Sequence, residues 1–134
     1  MFKLTAATPE KIVFEQDATS VVAPGMLGYL GILTDHAPLI TPLIPGRLEV
    51  KEPGGKVLDF FVSGGFLEVS NNVVTILADA IEKPESIDIN RAKAAEERAR
   101  DRLKHRDKPT IDVIRAEAAL ARAIWRQKLA NRQN

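Results

Sequence analysis

The 134-residue sequence contains no cysteine, which excludes disulfide staples, thiolate metal sites and cysteine nucleophiles together. Aromatic residues make up 5%, with one Tyr (Tyr29) and one Trp (Trp125). Histidine occurs only at His36 and His105, so a metal centre built from protein ligands alone is not expected. No apolar run approaches the ~18 residues that a membrane span needs. Met1-Phe2-Lys3 does not open a signal peptide. A mature cytosolic protein is the resulting expectation. Net charge is nearly absent as well: 19 Lys+Arg stand against 18 Asp+Glu, or +1. That balance argues against a polyanionic partner only if the charge is evenly spread.

The charge is divided. Residues 1–86 hold 6 basic and 11 acidic side chains, a net of −5, and residues 87–134 hold 13 and 7, a net of +6. All eight Gly lie at or before Gly65, and seven of the eight Pro at or before Pro84. Residues 87–134 contain ten Ala, no Gly and one Pro, Pro109. Two differently built regions, 1–86 and 87–134, are expected.

The acidic region reads as strands. Short apolar, β-branched runs alternate with turn residues about every ten positions, the pattern of an all-β domain. Phe2 to Ala7, Ile12 to Glu15, Ser20 to Ala23, Arg47 to Lys51, Lys56 to Val62, Phe66 to Val69 and Val73 to Ala78 are the expected strands. Glu52-Pro53-Gly54-Gly55 and Asn71-Asn72 are hairpin turns, because Gly and Asn tolerate positive φ. A small β-sandwich or flattened barrel follows.

Several segments of this region imitate catalytic motifs. Ser63-Gly64-Gly65 is not Gly-x-Ser-x-Gly and reads as a bulge or tight bend. Asp35-His36 are chain neighbours in a loop, which rarely aim at one substrate atom. Gly28-Tyr29-Leu30-Gly31 reads as a Gly-rich turn without the Lys-Ser/Thr of a phosphate loop.

The basic region reads as two helices that repeat. Ile87-Asp88-Ile89-Asn90-Arg91-Ala92 recurs further along the chain as Ile111-Asp112-Val113-Ile114-Arg115-Ala116, and residues 87–104 match 111–128 at 10 of 18 positions. Asp88 is the expected cap of the first helix; Asp112 and Thr110 compete to cap the second. The link His105 to Pro109 is short, so the helices form an antiparallel αα-hairpin. Their apolar stripes are thin: Ala92, Ala95, Ala99 and Leu103 face Val113, Ala116, Leu120 and Ala123. Alanine buries little area at ~25 cal/mol per Å², so the hairpin is marginal by itself and docks elsewhere, rearranges, or does both.

Arg115, Arg122 and Arg126 line one face of the second helix, and Arg91 and Arg98 one face of the first. Arginine forks suit carboxylate and phosphate. The antiparallel arrangement is expected to bring Arg122 and Arg126 towards Asp88 and Arg91, a set able to hold a nucleoside triphosphate. Nucleic acid is the weaker reading, because no aromatic residues interleave the basic ones to stack bases.

Four stretches of the chain resemble one family: Thr8-Pro9-Glu10-Lys11-Ile12-Val13-Phe14, Leu30-Gly31-Ile32-Leu33-Thr34-Asp35-His36-Ala37-Pro38-Leu39, Ser63-Gly64-Gly65-Phe66-Leu67-Glu68-Val69, and Val74-Thr75-Ile76-Leu77-Ala78-Asp79. With the basic C-terminal hairpin, they resemble the epsilon subunit of bacterial F-type ATP synthases, homologous to chloroplast epsilon and mitochondrial delta, over essentially all 134 residues. The resemblance implies a ten-stranded β-sandwich followed by two helices. It implies a non-catalytic subunit of the rotating central stalk that binds the gamma subunit and sits on the membrane c-ring, peripheral to the cytoplasmic face of the bacterial membrane. Tyr29 and the nearby Asp35 and His36 are the implied c-ring contacts; many members carry an acidic or polar residue in place of Tyr29. Arg115, Arg122 and Arg126 are the implied contacts to an acidic segment of the catalytic beta subunit, through which the hairpin blocks ATP hydrolysis. No cofactor is required, but a regulatory ATP is implied in some members. Ile87, Asp88, Arg91 and Ala92 match the nucleotide motif, with Glu82, Arg98, Arg122 and Arg126 at matching positions.

Two rival readings remain beside it: a nucleic-acid-binding helical hairpin on a β domain, and a small hydrolase using Ser63, His36 and Asp35.

Overall fold

The structure, a computed structural model, describes residues 1–132. Eight strands precede a short 3₁₀ turn and two helices among these residues. The strands are β1 (Phe2–Ala7), β2 (Ile12–Ala18), β3 (Ser20–Gly25), β4 (Gly28–Leu33), β5 (Leu39–Lys51), β6 (Val57–Ser70), β7 (Val73–Leu77) and β8 (Ile81–Glu82). The turn is Pro84–Ser86, and the helices are α1 (Ile89–Lys104) and α2 (Val113–Asn131). The chain divides into two compact units, Met1–Lys83 and Pro84–Asn134.

In the first unit, β5 and β6 are long enough to run through two layers. One layer is built from β2, β1, β7, the second part of β6 and the first part of β5. The other holds β8, the first part of β6, the second part of β5, β3 and β4. The β5–β6 ladder lapses between the Leu43↔Gly65 and Pro45↔Ser63 pairs, and there the two strands bend from layer to layer. Gly64 and Gly65 make the bend with φ of 105° and 142°. Only glycine adopts such values without strain. This is the structural role expected of Ser63-Gly64-Gly65. Cutting both long strands there turns eight strands into the ten segments that the family resemblance implies.

Period-two patterning fills the space between the layers. Phe2, Leu4 and Ala6 of β1, Leu67 and Val69 of β6, Val74 and Ile76 of β7 face Val21, Ala23, Ile32, Leu48 and Val50 in a single buried cluster. Burying each large aliphatic or aromatic side chain there contributes about 1.5–3 kcal/mol. At one margin the rings of Phe14 and Phe60 stack with centroids 4.6 Å apart.

Two segments differ from the sequence expectation. Gly28 to Gly31 is not a Gly-rich turn but the start of β4, paired with β3 from Gly25↔Gly28 to Ser20↔Leu33. As an edge strand it tolerates Gly31 and exposes every second residue, which hid it from a composition-based reading. The first part of β5 was not expected either, because Pro42 and Pro45 discourage a strand; both sit beside the bend.

Within the second unit, Asp88 caps α1 by accepting from the Arg91 amide at 3.1 Å, and Asp112 caps α2 by accepting from the Arg115 amide at 3.1 Å. Asp112 rather than Thr110 therefore caps the second helix. The two halves of the sequence repeat start with the same capped turn.

Candidate functional site

On the first unit, alternation that buries one face of each strand leaves the other outward. Pro42 pairs with Phe66, Phe66 with Leu77, and Leu77 with Ala7, so these side chains form one row across the outer face of the first layer. Phe66 is 57% and Leu77 53% exposed, and Ile40 and Ile44 flank the row at 71% and 43%. An apolar patch of this kind marks an interaction surface.

A second exposed feature is the β3–β4 hairpin tip. Leu27 is fully exposed, Met26 and Tyr29 more than half so, and the Met26 amide donates to the Pro42 carbonyl at 3.3 Å. The Tyr29 hydroxyl accepts weakly from the Arg47 amide at 3.4 Å, laying the ring beside Gly46. Asp35 and His36 are not near Tyr29, as the resemblance suggested. They follow the far end of β4, and four strand steps from Tyr29 to Leu33 span about 13 Å. There the Asp35 amide donates to Asn72 Oδ1 at 2.8 Å, and His36 Nδ1 donates to the Ala37 carbonyl at 2.7 Å.

Ser63, His36 and Asp35 share no hydrogen bond. The Ser63 hydroxyl instead accepts from the Ala80 amide at 2.9 Å, holding the chain after β7. No group of three or more His, Asp or Glu side chains able to hold a metal occurs among the described residues.

On the second unit, α1 and α2 pack along an alanine seam. Ala92 and Ala99 on α1 and Ala116, Ala123 and Ala130 on α2 are buried, recurring at every seventh position of each helix. Small side chains permit close approach, the reason for the alanine-rich composition. Register is fixed by Gln127 Nε2, which donates to Glu96 Oε1 at 2.7 Å. Arg100 and then Gln127 hold the Glu96 carboxyl below its ordinary pKa by bonding the charged form. Lys128 Nζ lies 4.8 Å from the centroid of the half-buried Trp125 ring.

Arg91, Arg98, Arg115 and Arg122 each precede a seam alanine. In an antiparallel pair, equivalent positions emerge on the same face, so all four flank one side of the seam. They do not converge at one end, contrary to expectation. Arg91 lies five positions before Glu96 and Arg122 five before Gln127, and the helices run oppositely. At 1.5 Å of rise per residue, about 15 Å along the axis separates the two arginines. Arg98 and Arg126 fall between. Arg122 is grouped instead with Arg115 and Arg102 around one cavity. Arg102 matches Arg126 in the sequence repeat but was not among the expected site residues. Ile87 precedes the Asp88 cap, Ala92 is seam, and Glu82 lies in β8 opposite Phe61. Asp88 spends one carboxylate oxygen on its helix.

Residues 1–84 match the family model described as "ATP synthase, Delta/Epsilon chain, beta-sandwich domain", and residues 85–131 match that of its "long alpha-helix domain". The chain belongs to the ATP synthase delta/epsilon family. Among members of this family, the ATP synthase epsilon chain of Desulforamulus reducens is 51% identical over 128 residues, covering 96% of each chain. That of Moorella thermoacetica is 50% identical over 127 residues, 95% of this chain and 94% of its own. A chain in the cryo-EM structure of the Euglena gracilis mitochondrial ATP synthase (OSCP/F1/c-ring, rotational state 1) superposes with a TM-score of 0.79 at 28% identity, over 90% of this chain and 76% of its own. The sandwich and the helical pair are thus the two established parts of the family fold. No helix among the described residues is long and apolar enough to cross a membrane.

Proposed function

We propose that the chain is a non-catalytic central-stalk subunit of a proton- or sodium-translocating F-type ATP synthase, peripheral to the cytoplasmic face of the membrane. Full-length membership in the delta/epsilon family carries this reading, and the exposed surfaces of the sandwich give it chemistry. The Ile40, Phe66 and Leu77 face suits the gamma subunit, since burying it in a stable contact removes apolar area from water. The apolar β3–β4 tip, with Tyr29, suits the c-ring; Asp35 and His36 are a separate candidate contact at the other end of β4.

The hairpin is the regulatory part. Arg115, Arg122 and Arg126 are the candidate contacts to an acidic segment of the beta subunit, and their engagement inhibits ATP hydrolysis. A regulatory ATP acts on the same hairpin: Arg91, Arg98, Arg122 and Arg126, spread along about 15 Å of helix rise, suit an elongated nucleotide rather than a lone anion. A ligand that binds only the compact hairpin stabilises it by RT ln(1 + [L]/Kd).

Reconstitution tests the reading. Adding the chain to the catalytic subcomplex lowers ATP hydrolysis, and deleting residues 87–134 relieves the inhibition. An unchanged rate on deletion rejects the inhibitory role. ATP titration followed by Trp125 fluorescence saturates and is weakened in Arg91→Ala or Arg126→Ala; a flat titration at millimolar ATP rejects the nucleotide role.

A further inference from the structure

An exposed strand edge presents unpaired amides and carbonyls, and soluble proteins blunt such edges with charge, proline or brevity. The sandwich treats its edges unequally. Strand β2 carries Glu15 and Asp17. The first part of β5 carries Pro42, which has no amide to donate. Strand β8 is two residues long. Strand β4 pairs with β3 alone and has none of these devices: Gly28-Tyr29-Leu30-Gly31-Ile32-Leu33 holds no charge and no proline.

The β3–β4 hairpin fixes which groups of β4 point outward. Gly25 and Gly28 close a two-residue turn, and a closing pair of this kind exchanges hydrogen bonds. By alternation, Ala23↔Leu30 and Val21↔Ile32 exchange bonds as well. Tyr29, Gly31 and Leu33 therefore turn their amides and carbonyls away from β3. Pro24, which lacks an amide, stands opposite Tyr29, in agreement with this pattern. Of these outward groups, only the Leu33 carbonyl has a backbone partner among the described residues, the His36 amide at 3.2 Å. The side chains leave the edge open. Tyr29 is 53% and Leu33 65% exposed, and a Cβ at Gly31 would meet nothing within 4 Å.

We propose that the β4 edge pairs antiparallel with β4 of a second copy of this chain, about a two-fold axis at Gly31. The strand is complementary to itself in that register. Gly31 meets Gly31 of the second copy, and the two exchange amide and carbonyl bonds without a side chain at the axis. Tyr29 meets Leu33 of the second copy on both sides of the axis, so each Leu33 amide reaches a Tyr29 carbonyl and an aromatic ring faces an aliphatic side chain. No like charges oppose one another, because β4 carries none. A single strand edge falls short of the ~1,200–2,000 Å² of a stable interface, so the pair is weak and reversible. Tyr29 is also the candidate c-ring contact, and the pair therefore belongs to the unassembled chain.

Sedimentation of the full chain, from micromolar to near-millimolar protein, tests the pairing. The wild type is expected to dimerise reversibly, and its Gly31 and Leu33 amides to exchange with deuterium more slowly as concentration rises. Gly31→Lys and Gly31→Glu each set like charges directly opposite one another and are expected to weaken association about tenfold or more. An equimolar mixture of the two variants should restore it, because opposite charges then meet at the axis. Far-UV CD checks that each variant keeps the fold, and the exchange measurement needs no variant. Phe66→Asp, on the other layer, should leave the dimer intact. A wild type that stays monomeric at near-millimolar concentration overturns the pairing and leaves the edge to a strand of another chain. Dimers that survive both Gly31 substitutions, that dissolve in Phe66→Asp, or that the mixture fails to restore overturn it as well. The Gly31 substitutions leave Tyr29 in place, so neither outcome bears on the proposed stalk role, which is read in the assembled complex.

Discussion

Gln127 donates to the carboxylate of Glu96 across the hairpin at 2.7 Å, joining positions 31 residues apart. This bond sets which residues of α1 and α2 face each other, and through them which arginines share a cavity. It also joins the helices in a seam where alanines supply little apolar area.

Glu96 makes the hairpin acid-sensitive. Arg100, first, and Gln127 lower its pKa in the folded state. A depressed carboxyl adds stability above its unfolded pKa and loses it as pH falls through the folded value. Helical CD of the protein is therefore expected to decline on acidification below the ordinary glutamate range, with a shallower decline in Glu96→Gln.

Overfilling the seam should separate the helices. Ala99→Leu or Ala123→Leu forces bulky side chains between closely packed backbones at the centre of the pair, costing about 1–3 kcal/mol. Chemical denaturation followed by helical CD checks this, and the same substitution at an exposed site such as Lys93 should have little effect.

Removing either cap should cost about 1 kcal/mol, and replacing it with Asn should cost much less. Asp88→Ala and Asp112→Ala are matched tests, because both carboxylates accept from the third helical amide at 3.1 Å. Similar losses from the two variants, measured by denaturation, would confirm that the repeat is equivalent in energy as well as in shape.

Gly65→Ala should damage the sandwich. Its φ of 142° disfavours any side chain, and an added Cβ would collide with the Leu77 carbonyl. A loss of about 2–4 kcal/mol is expected, measurable as a lower denaturation midpoint, whereas Gly54→Ala meets open space and should be tolerated.

Phe66→Asp tests the outer face. The side chain is 57% exposed and outside the buried cluster. The fold should therefore survive, with a stability change of about 0.5 kcal/mol or less. Co-purification with the gamma subunit should fall, and retention of wild-type affinity would remove this face from the proposed contact.

Features governed by neighbouring residues were legible in the sequence. Asn71 and Asn72 adopt φ of 51° and 60° in the turn expected of them, and Gly55 reaches 93° in its hairpin. Asp88 caps its helix because a carboxylate three residues from a free amide needs no distant partner. Apolar, β-branched runs located β1, β7 and both parts of β6 as strands. Edge strand β4 and the first part of β5 were hidden, because Gly31, Pro42 and Pro45 are acceptable only where an edge or a bend relieves the ladder, a condition set by other strands.

The sequence by itself determined the division of charge, the two fold classes, the repeat, the caps and the alanine seam, all consequences of local preference and periodicity. Tertiary structure alone decided that Tyr29 and Asp35 stand at opposite ends of β4. It also decided that Arg122 joins Arg102 and Arg115 rather than Asp88. Distance between residues far apart in the chain depends on register, and register is fixed by packing and by long-range bonds such as Gln127 to Glu96.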